Sequence, residues 1–109
     1  MQNPNHLTLL KNSLLNISKP YQEQINLFPN YVDVFDELLS DFDNAFRLLP
    51  LIMEEEKISY RCVLNILKCN NIINLTMEIE GKQTDESFEN DNEWMELRRT
   101  AQKALNLIE

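Results

Sequence analysis

The chain has 109 residues and a net charge of −8, from 18 acidic and 10 basic side chains, with a single glycine. That length suits one domain able to fold without disulfide or metal staples, and 43% hydrophobic with 26% charged residues excludes a disordered chain. The acidic balance, with a pI near 4.6, argues against nucleic acid or a membrane surface as a direct ligand and favours a basic protein partner.

The first expected element is a helix from about Asn5 to Ile17, where Leu7, Leu10, Leu14 and Ile17 recur on one helical face with Leu15 beside it. Pro4 stands just ahead of it, where a missing N–H costs nothing, and Ser18-Lys19-Pro20 ends it, because the residue before a proline is pushed out of helical geometry. Residues 19 to 31 read as a connector with at most a short turn. Its Ile25, Leu27 and Phe28 are apolar enough to lie on the core.

The second helix is expected from about Val32 to Leu49. Phe35, Leu38, Leu39, Phe42, Ala45, Phe46 and Leu49 keep a 3-4 spacing, while Asp33, Asp36, Glu37, Asp41 and Asp43 fall off that stripe. Acidic residues early in a helix suit its positive end. Pro50 breaks or kinks the chain and opens a short piece that ends near Glu54-Glu55-Glu56-Lys57. Ile58-Ser59 then reads as a hydrophobic residue and an N-cap leading a helix from about Tyr60 to Leu75. Cys62, Ile66, Cys69 and Ile73 form one row of that helix and Val63, Leu64 and Leu67 another, a girth that predicts a central place in the bundle. Its β-branched end, Ile72-Ile73-Asn74-Leu75-Thr76, leaves a short strand as the second possibility.

Glu78 to Asp91, around Gly81, reads as a polar acidic mobile loop with Phe88 as its anchor. The last helix opens near Asn90 to Asn92, where Asn90 and Glu93 have capping-box spacing, and carries Trp94, Leu97, Ala101, Ala104, Leu105 and Ile108 on its core stripe. Arg98, Arg99 and Lys103 come late in it, where cations suit the dipole. The expected fold is all-α, a compact bundle of about four to five helices with the acidic loop before the C-terminal helix.

Catalytic chemistry is poorly provided for. One glycine cannot build a phosphate-binding glycine-rich loop, and the only histidine, His6, stands near the N-terminus, away from a serine or cysteine needing a base. Cys62 and Cys69 are two helical turns apart, about 10 Å, too far for a disulfide, and two thiols without other ligands do not make a zinc site; they read as small buried hydrophobes. No cofactor is expected. The carboxylates of the second helix could pair as in a hydrolase or a calcium site, but an acidic outer face on an amphipathic helix is ordinarily solvated. Met1-Gln2-Asn3-Pro4-Asn5 lacks the basic and apolar parts of a secretion signal, and no apolar run spans a bilayer, so the expected location is the cytoplasm.

Two stretches carry a resemblance. Asp36-Glu37-Leu38-Leu39, Asp41-Phe42-Asp43-Asn44-Ala45-Phe46 and Leu48-Leu49-Pro50, followed later by Glu93-Trp94, Glu96-Leu97-Arg98 and Ala101 with Leu105, resemble the small immunity proteins encoded beside bacterial polymorphic and contact-dependent toxins. The resemblance implies a protein that binds a cognate toxin domain, often a nuclease, and blocks it inside the producing cell. It transfers no contact residues. Charge complementarity to a basic nuclease cleft selects Asp33, Asp36, Glu37, Asp41 and Asp43 as the first contact set and Asp85, Glu86, Glu89 and Asp91 as the second. Two other readings use the same features: an acidic inhibitor from a phage or mobile element that mimics nucleic acid, and an adaptor subunit whose apolar fourth helix pairs with a partner or itself.

Overall fold

In a computed structural model that describes residues 5–108, the chain forms seven helices and, among those residues, no strand. They are α1 (His6–Ser18), α2 (Tyr21–Gln24), α3 (Val34–Phe46), α4 (Leu49–Glu55), α5 (Tyr60–Met77), α6 (Asp85–Asn90) and α7 (Asn92–Asn106). The all-α class is as expected. The helix count is higher than four to five, because two short helices, α2 and α6, occupy stretches expected to be irregular.

Side-chain caps set most of the helix starts. Asn5 accepts from Thr8 N at 2.7 Å, Asp33 from Asp36 N at 3.2 Å, Ser59 from Cys62 N at 3.1 Å and Thr84 from Ser87 N at 3.1 Å. Pro4, expected to lead α1, lies outside the described residues. Lys19 takes an extended backbone ahead of Pro20, as the proline dictates.

The second predicted helix ends three residues early. A proline inside a helix collides with the carbonyl four residues before it, and for Pro50 that residue is Phe46. Phe46 is the last residue of α3; Arg47 and Leu48 turn the chain, and Pro50 enters α4 at a position where no N–H is needed.

The connector packs differently from its hydrophobicity. Ile25 and Leu27 remain exposed, whereas Tyr21 and Phe28 lie against the core and Gln24 is fully buried. The stretch from Ile72 to Thr76 stays helical, and the helix runs on to Met77, so the short-strand alternative does not occur.

The centre of the bundle is α7, not α5. Helix α7 packs on α5, α1 and α6, while α1 also meets α3 and α4, and α3 meets α5. Its interior row combines Trp94 and Leu97 with the small residues Thr100, Ala101 and Ala104. Small side chains let neighbouring axes approach, since interaxial distance is set by what stands at the contact. The Cys62 thiol reaches the backbone carbonyl of Ala104 at 3.5 Å. Helix α5 buries Cys62, Ile66, Cys69 and Thr76 on that side and leaves Tyr60, Leu67 and Leu75 exposed on the other.

Candidate functional site

The stretch expected to be a mobile acidic loop is pinned at several points. Gly81 takes φ +88°, a left-handed turn that favours glycine. The next residue then does two things. The Lys82 carbonyl accepts from Trp94 Nε1 at 2.8 Å, and its ammonium bonds Asp91 at 3.0 Å and Glu93 at 3.2 Å. Phe88 is fully buried and meets three aromatic rings edge-on: Trp94 at 5.6 Å, Phe35 at 5.1 Å and Tyr21 at 6.2 Å between centroids. Asn90 does not cap α7. Asp91 holds the cap position, but its carboxylate takes bonds from Ser87 Oγ and Lys82 instead.

A buried polar network ties this region to the connector. Arg98 donates to the Phe88 carbonyl at 2.8 Å and to Gln24 Oε1 at 2.8 Å. Gln24 Nε2 in turn donates to the carbonyls of Ile17 at 3.0 Å and Asn16 at 3.1 Å, two of the last carbonyls of α1, where the helix itself no longer supplies donors. Burial lowers the Arg98 pKa, opposed by the carboxylate of Glu89 and by Tyr21. The late-helix placement of Arg98 had suggested only a dipole role.

The first acidic set is exposed and splits around α3. Asp36 and Asp43, two turns apart, stand over a depression of about 260 Å³ shared with Asn70, Ile73, Asn74 and Met77 of α5. Asp41 stands on the opposite flank, in a groove of about 310 Å³ with Asn12 and Asn16 of α1. Glu37, one turn before Asp41, follows that flank. Two members are already engaged: Asp33 caps the helix, and Asp43 pairs with Arg47 at 3.0 Å.

The second set is brought to the start of the first. Tyr21 lies where its pKa is raised by burial, then by the carboxylates of Asp85, Glu89 and Asp33, with Arg98 opposing. The Phe35–Phe88 contact sets the start of α3, where Asp33 stands, against α6, which carries Asp85 and Glu89 some fifty residues away in sequence. Asp85 and Glu86 are exposed in the first turn of α6, and Glu89 accepts from Gln22 at 3.0 Å. Asp91 is the member turned to structural work.

Among the described residues, no group of three His, Cys, Asp or Glu side chains is placed to hold a metal ion, and no helix is long and apolar enough to cross a membrane. His6 bonds Glu55 at 2.9 Å, tying α1 to α4. No protein-family model, curated protein or solved structure matches this chain.

Proposed function

We propose that this chain is an immunity protein, acting by binding and not by catalysis, that holds a cognate bacterial toxin domain with a basic, nucleic-acid-binding cleft. The cytoplasm of the producing cell is where it would act. The observation that carries the reading is the Phe35–Phe88 contact, which sets the start of α3 against α6 and so brings two acidic segments to one side of the bundle. Asp33 caps the start of α3, and Asp85 and Glu89 belong to α6, the helix that the Tyr21–Phe88 and Phe35–Phe88 ring contacts hold in place.

Pre-ordering matters to an inhibitor. A contact surface fixed before encounter loses little conformational freedom on binding, and a concentrated negative field speeds the approach of a basic partner. Helix α3, with exposed carboxylates on both flanks, suits a cleft that embraces a helix better than a flat surface. That splay also weighs against the nucleic-acid mimic, which needs carboxylates spaced like phosphates along one line.

Co-purification with the product of the gene immediately upstream tests the reading, together with growth of cells expressing that product with and without this chain. The expected result is a stable complex and rescued growth. A harmless upstream product that does not bind would overturn it.

A further inference from the structure

The exposed side of α5 carries large apolar residues among its polar ones. Tyr60, Leu64, Leu67, Asn71 and Leu75 recur at helical spacing on the face opposite Cys62, Ile66 and Cys69. Tyr60 is 79% exposed, Leu67 44% and Leu75 65%. In a chain with 18 acidic residues, the span Tyr60–Met77 contains Arg61 and Lys68 and no carboxylate. It is therefore a face on which two copies would meet without the carboxylate repulsion that the rest of the surface carries.

We propose that this face is a self-association surface on which two copies pair through antiparallel α5 helices. In a two-fold interface each contact occurs twice, so a feature at one end of the helix must fit a different feature at the other end. Helix α5 has this self-complementarity. At its start stand a protruding aromatic, Tyr60, and a cation, Arg61. At its end lie Glu78 and an open depression of about 700 Å³ between α5 and α7, apolar on its α5 side, where Ile72, Leu75 and Ile79 stand, and polar on its α7 side, where Glu93, Glu96 and Arg99 can meet the phenol of an entering tyrosine. Antiparallel alignment brings Tyr60 of each copy to the other's depression and Arg61 to the other's Glu78, with Leu64 opposite Leu75 between them. A parallel pair would set like ends together, stacking Arg61 on Arg61 and leaving both depressions unfilled. Opposed helix dipoles favour the antiparallel arrangement as well. None of these residues belongs to the acidic sets of α3 and α6.

Sedimentation equilibrium of the whole chain, from low to several hundred micromolar, gives the test. The expected mass is twice 12.9 kDa, shifting to the monomer value as concentration falls. Leu67→Lys with Leu75→Lys should raise the dissociation constant at least tenfold, with helical circular dichroism retained. Arg61→Glu should weaken pairing and Arg61→Glu with Glu78→Arg restore it. A monomer at every concentration overturns the proposal, as does a dimer indifferent to the paired lysine substitutions. A charge reversal that the second substitution does not rescue overturns the antiparallel register. Each outcome is read without the toxin, so it is separate from the fate of the immunity reading.

Discussion

Arg98 lays its guanidinium over the ring of Phe88, 4.4 Å from the centroid, and donates to the same residue's backbone carbonyl at 2.8 Å. One side chain of α7 thereby fixes both the packing and the backbone of α6. Its second bond, to Gln24, extends that hold to the end of α1. The ordered acidic surface rests on this arrangement.

Arg98→Ala should therefore be among the most damaging single substitutions outside the apolar core. It leaves Gln24 Oε1 and the Phe88 carbonyl without their donors, an expected loss of roughly 2–4 kcal/mol. Arg98→Lys keeps the charge but not the two-pronged donor geometry, and should recover only part of that stability. Urea unfolding measures both. Equal stability of wild type and Arg98→Ala would show that the network contributes nothing.

The Lys82 clip predicts a defined pH dependence. Hydrogen bonds from Ser87 and then Lys82 lower the Asp91 pKa, and Glu93 is lowered by its own backbone N–H and then Lys82. Hydrogen bonds to Asp91 and Glu93 raise the pKa of Lys82. Carboxylates with depressed folded values contribute stability that is complete above their unfolded range, about pH 4, and lost as pH falls through the folded values. A lysine with a raised folded value contributes stability that is complete below about pH 10.4 and lost as pH rises through the folded value. The difference in melting temperature between wild type and Lys82→Met should be level across neutral pH and shrink at both extremes. A difference that stays constant into strong acid would contradict the clip.

The acidic residues should separate into binding and structural groups. Neutralising Asp36, Glu37 and Asp41 as the amides should slow association with the toxin on the order of tenfold or more at low salt and flatten its salt dependence. Asp33→Asn preserves a capping side chain and should leave stability unchanged. Asp91→Asn weakens the Lys82 clip, so its effect should fall on stability. Stopped-flow association rates and melting curves on the same variants check the division; an unchanged rate for the triple variant would remove α3 from the contact.

Both thiols should be silent in the folded protein. Burial pushes the Cys69 thiol up to about 12, and Cys62 is raised by the same cause. The thiolate is the reactive form, so neither should react with an aromatic disulfide reagent near neutral pH until the chain opens. Two equivalents should react at once in denaturant. Rapid modification without denaturant would show that α5 leaves α7 readily.

Much of the architecture was legible in the residues themselves. The positions of α1, α3, α5 and α7 follow from apolar spacing, and the breaks between them from Pro20, Pro50 and Ser59, because periodicity, ring sterics and capping are local causes. What lay beyond such causes was decided by the tertiary structure. The girth of α5 could not reveal which side would be covered; that depended on the small residues Ala101 and Ala104 making α7 the better centre. Lys82 stood among carboxylates, but its role required Asp91, Glu93 and Trp94 to fold back onto it. Gln24 and Arg98 are polar residues whose burial makes sense only once α1, α6 and α7 meet and leave each a partner. The meeting of the start of α3 with α6 is of the same kind: the acidity of Asp33, Asp85 and Glu89 is written in the chain, while the approach of their two segments depends on Phe35 and Phe88 packing together.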